Sequence, residues 1–439
     1  MDRPVSPHSV LKRDHPATPI PHESDPWIVS LAIALAFLVL AAVRLTIPSS
    51  YYFDEVHYVP AARELLEGGR YLNQEHPLFA KQLIAMAIAV FGDTALGWRI
   101  VPLLAGGIGL FATMRAMWFA SGSRFATIAF GLLMASGFVL FVQSRIAMLD
   151  IVMMSALSVA AWHFAGSIRE PETGRWRLAV TGLALGLAMA SKWNAVPLAI
   201  LPGIAFLVAR IAAHRRRLVT STRGIPVPGI SLWEAGVWLG ALPLLVYFAT
   251  FLPAWNLQGS PLPALGLLGM QEHMIALQSQ VFKAHPYQSN PAEWISNWRA
   301  IWYLYEPVDG AQRGIMLIGN PLTMLLGIPA LFWCLVSGLR DWEWTRLAIV
   351  AGYGVSMGLW LFAAKPVQFY YHYFLPSCFL LAALALALDA LWQSGRHALV
   401  GGVMAASLVL FGWFYPILSA APLETERGFA TYTWLPSWR

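Results

Sequence analysis

Apolar residues in this chain do not alternate with polar ones at helix or strand spacing; they come in long unbroken blocks. A hydrocarbon core about 30 Å thick takes roughly 20 apolar residues per helical crossing, so blocks of this kind predict transmembrane helices. Eleven are present, at 27–47, 100–120, 125–142, 151–168, 177–191, 195–213, 233–252, 314–337, 346–363, 370–391 and 398–418. The predicted fold is an all-α polytopic membrane protein. The first block is too long for a signal-peptide core and runs into Arg44 and Pro48, so it is expected to be retained. Residues 1–26, rich in Pro, Ser and His and without apolar periodicity, are expected to form a disordered cytoplasmic tail.

The polar connections set the orientation. One set holds Arg3, Lys12 and Arg13, then Arg124, then Arg169, Arg175 and Arg177, then Arg210, Arg215, Arg216, Arg217 and Arg223, and finally Arg340, Arg346 and Arg396. Short loops rich in Arg and Lys stay in the cytoplasm, which puts the opposite set outside. That outer set contains the long loops 48–99 and 253–313, both within a single membrane unit at 27–418, and the tail 419–439 that follows it. The loops carry Trp294, Trp298, Trp302, Tyr303 and Tyr305, and aromatic residues favour the headgroup layer. Helices lying on the membrane are predicted there.

Composition sharpens the class. The chain is 58% hydrophobic and only 12% charged, against about 25% in a soluble domain. A net charge of +6 and a pI near 9.4 reflect topology, because no basic stripe or nucleic-acid-binding motif accompanies them. Cys334 and Cys378 fall inside apolar blocks and read as small core residues. Asp54, Glu55, Lys81, Arg99, Arg145, Asp150, Lys192 and Lys365 all lie at or beyond the outer ends of blocks, and Asp389 and Arg396 near an inner end. A proton-coupled transporter carries ionisable groups near its midplane, so chemistry at the outer surface is expected instead. His163, alone in an apolar block, reads as a packed residue with one hydrogen bond.

The first outer loop opens Tyr51-Tyr52-Phe53-Asp54-Glu55-Val56-His57-Tyr58, an acidic pair in an aromatic setting. Burial there raises a carboxylate's pKa and suits it to act as a base; the same residues are equally at home as a helix cap. Further on, Asn73-Gln74-Glu75-His76-Pro77-Leu78-Phe79-Ala80-Lys81 leads into an apolar helix with Lys81 at its start. In Gln143-Ser144-Arg145-Ile146-Ala147-Met148-Leu149-Asp150, the planar fork of Arg145 suits a phosphate and Asp150 is near enough to hold it; an ordinary salt bridge at a helix end is the alternative. Lys192 and Lys365 add two cations to outer turns. Positive charge converging on the side that topology disfavours points to an anionic ligand, a phosphate at the membrane surface.

These segments resemble the protein O-mannosyltransferases of the GT-C glycosyltransferase superfamily. The resemblance rests on Phe53 to Tyr58, Glu75 to Lys81, Arg145 to Asp150, Ser191-Lys192-Trp193-Asn194, His285-Pro286-Tyr287-Gln288-Ser289, Trp302-Tyr303-Leu304-Tyr305-Glu306 and Tyr370-Tyr371-His372-Tyr373-Phe374-Leu375-Pro376, in the family's order. It implies eleven crossings, a polyprenyl-phosphate-mannose donor, a Ser or Thr acceptor in a translocated protein, and inversion at the anomeric carbon. It makes Asp54 the catalytic position, Glu55 its partner and Arg145 a donor-phosphate contact, with Lys81, Lys365 and His76 beside the phosphate and Asp150, Glu75 and Lys192 in support. His285, Tyr287, Gln288, Trp302 and Tyr305 fall in the acceptor and sugar region. His76-Pro77-Leu78 departs from the family's His-Pro-Pro, and 253–313 is too short for the lumenal β-trefoil of eukaryotic members, which implies a bacterial inner-membrane enzyme working on the periplasmic face. No cofactor is required; a divalent metal on Asp54, Glu55 and His76 is compatible without being demanded. A transferase acting on a lipid of the lipid A type, a lipid-linked-sugar flippase and a membrane scaffold are the rival functions.

Overall fold

The computed structural model describes residues 23–213, 217–280, 285–363 and 365–439. Most of the expected tail 1–26 lies outside the described residues, as do Arg215 and Arg216 of the basic connection. The helices are α1 (Trp27–Ala42), α2 (Glu55–Glu67), α3 (Phe79–Phe91), α4 (Ala95–Ser121), α5 (Arg124–Ala135), α6 (Phe138–Gln143), α7 (Leu149–Arg169) and α8 (Gly174–Ser191). They continue with α9 (Val196–Ala213), α10 (Leu232–Asn256, one turn of it a π-helix), α11 (Leu262–Gln278), α12 (Pro291–Ile295), α13 (Pro321–Asp341), α14 (Trp344–Phe362), α15 (Phe374–Gln393) and α16 (His397–Leu418).

Among the described residues, eight helices are long and apolar enough to cross a membrane: α4, α7, α9, α10, α13, α14, α15 and α16, some with short extensions. The other three expected positions are also helical. There α1 has 16 residues, α5 stops after 12 at a break over Ser136 and Gly137 before α6, and α8 carries Arg175 and Arg177 near its start. Side-chain caps mark the boundaries: Thr94, Ser123, Ser231 and Asn320 each accept a backbone N–H of the turn they begin. The core is close-packed through small residues. A Cβ on Gly109 of α4 would stand 3.3 Å from the Ser155 backbone of α7, so the two helices touch main chain to main chain.

The two ends of the bundle separate as the charge pattern predicts. At one end Asp25 meets Arg115 at 2.5 Å and Ser24 meets Arg124. At the other, Ser49 bonds Asp309, joining the two long loops, and Arg44 bonds Ser419, joining the chain after α1 to the tail.

Two expectations about the second long loop need correction. The stretch Trp302 to Tyr305 is not a helix lying on the membrane but part of β1 (Ile301–Val308), which pairs antiparallel with β2 (Ala311–Leu317). Asp309 and Gly310 turn the hairpin with φ of 47° and 75°, left-handed geometry at both positions, the pattern that matches strand twist. The block 314–337 therefore begins as strand, and its helix starts only at Pro321. Hydropathy alone does not distinguish a buried strand from the first turns of a span.

Candidate functional site

The adjacent acids of the first outer loop have opposite surroundings. Glu55 is fully buried and accepts from Arg99 Nε at 2.8 Å, Arg99 Nη2 at 2.7 Å, Ala147 N at 3.0 Å and Tyr52 N at 3.3 Å. The rest of the Arg99 guanidinium bonds the carbonyls of Leu45, Pro48 and Ser50. Glu55 thus ties the end of α1 to α4 and the α6–α7 connection, an anchoring contact that the expectation of a partner for Asp54 did not include.

Asp54 occupies the N-cap position of α2, yet its side chain makes no cap hydrogen bond. The alternative of a simple helix cap is not realised. Its neighbour Phe53 has φ of 50°, strained for a bulky residue and costing on the order of 1–3 kcal/mol, and stacks on Tyr303 of β1 at 4.0 Å. Half-buried, Asp54 has its pKa raised first by desolvation; Lys192 and His57 pull it back, Asp150 pushes it up, and Lys365 pulls it down. Asp150, Lys192 and Lys365 are thus the charged groups whose fields reach Asp54.

Lys192 follows α8 and donates to Asp150 Oδ2 at 2.6 Å while lying 5.1 Å from the Tyr371 ring centre. Lys365, in the turn after α14, is pushed down to about 8 by burial and then by the charge of Lys192. The His76 imidazole is held well below its ordinary range by burial, with Lys192 and Lys365 adding to the effect, so it is neutral. The Tyr303 hydroxyl is buried without a partner among the described residues, and Asp150 and Asp54 are the carboxylates that act on it.

Other predicted residues lie elsewhere or are already bonded. Arg145 is not held by Asp150. Its fork donates to the carbonyls of Ala41, Val43, Arg44 and Ser419, joining the end of α1 to the chain after α16. Lys81 is buried, pushed down to about 7 by desolvation, and spends its ammonium on the carbonyls of Asn73 and His76 at 2.7 and 2.9 Å, folding the loop that presents His76. Glu75 accepts from Asn73 at 2.7 Å and through its carbonyl from Gln278 of α11. His285 packs edge-on to Phe369 beside Tyr287, and Gln288 bonds the Pro366 carbonyl, so this segment borders the Lys365 turn. Trp302 and Tyr305 instead grip the tail: Trp302 bonds the Trp438 carbonyl, Tyr305 that of Glu426, and both rings meet Phe429. The strand residue that stacks on Phe53 is Tyr303, which a bulge between Trp302 and Leu304 helps to set apart from them.

Among the described residues no group of three His, Cys, Asp or Glu side chains is placed to hold a metal ion. Asp54, Glu55 and His76 do not form such a set, because Arg99 takes Glu55.

Two family models match. One, described as dolichyl-phosphate-mannose-protein mannosyltransferase, covers residues 75–230; the other, the C-terminal four-transmembrane region of protein O-mannosyltransferase, covers 266–438. Relatives include the polyprenol-phosphate-mannose–protein mannosyltransferase of Mycolicibacterium smegmatis, 28% identical over 94% of this chain and 92% of its own. That of Mycobacterium tuberculosis is 27% identical with the same coverage. The S. cerevisiae protein O-mannosyltransferase Pmt1-Pmt2 complex bound to the sugar donor has the same fold, with a TM-score of 0.81 at 14% identity over 95% of this chain and 93% of that one. ArnT from Cupriavidus metallidurans bound to undecaprenyl phosphate is more distant, with a TM-score of 0.54 at 16% identity over 84% and 61%.

Proposed function

The chain belongs to the protein O-mannosyltransferase family, and from that premise we propose that it moves mannose from a polyprenyl-phosphate-mannose donor to Ser or Thr hydroxyls of proteins at the outer face of a bacterial plasma membrane. The observation that carries the mechanism is Asp54: a half-buried carboxylate, raised in pKa, unused as a cap and set beside two lysines. A carboxylate whose pKa approaches the working pH is a competent general base.

In the proposed step Asp54 takes the proton of the acceptor hydroxyl as its oxygen bonds to C1 of mannose. The C1–O bond to phosphate breaks on the opposite face, inverting the anomeric centre, and the electron pair leaves with the polyprenyl phosphate. Lys365, with Lys192 behind it, stabilises the charge that grows on the departing phosphate. Phosphate leaves readily, so no strong acid is needed. Arg145 and Lys81, both bonded to carbonyls, shape the site from behind.

Asp54→Asn tests this directly. With radiolabelled polyprenyl-phosphate-mannose and an acceptor protein, transfer should fall roughly 10²–10⁴-fold while donor binding persists. Near-normal transfer would remove Asp54 from the mechanism, and label appearing on lipid in the wild type would redirect the acceptor assignment.

A further inference from the structure

His372 sits at the outer start of the segment leading into α15, 2% exposed. Its ring stacks on Trp360 of α14 at 3.8 Å with a 30° tilt, and Trp294 of α12 and Tyr371 close in at 5.9 and 4.4 Å. Three aromatic side chains thus enclose the imidazole.

Its two nitrogens are unequal. Nδ1 accepts the Phe369 backbone N–H at 3.0 Å, so Nδ1 bears no proton and the neutral ring carries it on Nε2. Nε2 is buried and bonded to nothing among the described residues. A buried N–H without an acceptor costs the full desolvation of that group, and such orphans call for an explanation. Lys192 Nζ lies 5.1 Å from the Tyr371 ring, which packs 4.4 Å from the His372 ring, and Gln368 bonds the Lys365 carbonyl, so the imidazole borders the two lysines assigned to the departing phosphate. An unused N–H donor beside two ammonium groups suits an anion as its acceptor.

We propose that His372 is a phosphate-binding residue of the donor site, its Nε2–H donating to a non-bridging oxygen of the polyprenyl phosphate. The assignment rests on the mannosyltransferase function above. It gives the leaving group a neutral, directional donor beside the ammonium groups of Lys365 and Lys192, so the phosphate is oriented as well as attracted. Its hydrogen bond strengthens as the phosphate gains charge, which places part of its effect in the transition state.

The two amide substitutions divide the ring between them. His372→Asn retains an acceptor near Nδ1 for the Phe369 N–H and loses the Nε2 donor; His372→Gln retains a donor near Nε2 and loses the Nδ1 contact. Binding of polyprenyl phosphate to purified full-length protein, with inorganic phosphate and unphosphorylated polyprenol as separate probes, is the measurement. The expected result is roughly 10- to 100-fold weaker polyprenyl phosphate binding for His372→Asn, with His372→Gln near wild type and polyprenol binding unchanged in both. Inorganic phosphate should bind weakly but follow the same order. The reverse order, with Asn near wild type and Gln impaired, would make His372 a structural brace and overturn the assignment, as would equal binding by all three proteins. Wild-type protein that binds polyprenyl phosphate but transfers no mannose would sink the mannosyltransferase function while leaving the phosphate contact to be judged by the two variants.

Discussion

The outer layer of the protein holds two clusters of buried charge that differ in kind. Around Glu55 and Arg99 the bonds close on themselves: the carboxylate meets four donors and the guanidinium meets three carbonyls besides. Around Asp54 they do not close. Its carboxylate makes no cap hydrogen bond, Tyr303 and His372 hold buried polar atoms without partners among the described residues, and burial pushes Lys365 down to about 8. A closed cluster stabilises the fold; an open one stores unfavourable electrostatics that a ligand relieves. Two acids adjacent in sequence thus have opposite surroundings.

The largest effect should come from Asp54→Asn, whose loss of transfer was given above, and its stability sharpens the contrast. The sign follows from the raised pKa: the stability linked to Asp54 is present while the group is protonated and is lost as pH rises through its folded value. At neutral pH the Asn variant should therefore melt no lower than wild type. A clearly lower melting temperature would place Asp54 in the closed cluster.

Glu55→Gln should do the opposite. Removing one partner of a buried ion pair leaves Arg99 uncompensated and costs about 3–5 kcal/mol, read as a lowered thermal midpoint in detergent. Equal stability would break the comparison from the other side.

The pH profile of kcat/KM comes next in size. The rate should fall on the acid side as Asp54 takes a proton, at a higher pH than an ordinary carboxylate, and on the alkaline side as Lys365 loses its proton near 8. Lys365→Arg should push the alkaline limb upward. An unmoved limb would assign it to another group.

Tyr303→Phe is the smallest: one hydrogen bond to substrate, worth about 1 kcal/mol or roughly fivefold in kcat/KM. Because the hydroxyl has no protein partner, stability should hold or rise slightly. A destabilised variant would show that the hydroxyl serves the fold.

The membrane helices were legible because a hydrocarbon solvent imposes a run length that few other causes produce. Asp54 was legible as an acid at an outer helix start, but its difference from Glu55 was not: it depends on Arg99, 44 residues away in sequence. Asp150 and Arg145 are near in sequence and fail to pair, because Lys192, 42 residues off, reaches Asp150 first. Tyr303 was hidden among flanking aromatics, since neither the strand nor its bulge leaves a mark in hydropathy. The Asp309-Gly310 dipeptide was the available signal for that hairpin.

Glu55 has one more consequence. With four donors gripping the side chain next in sequence, the backbone at Asp54 has little freedom to retreat, and the carboxylate is aimed by two side-chain torsions alone. Reach then becomes as stringent as charge: Asp54→Glu retains the acid but adds a methylene that the moored main chain cannot absorb. Since misplacement by about 1 Å can cost on the order of a hundredfold, the longer acid should rescue little of what Asn loses.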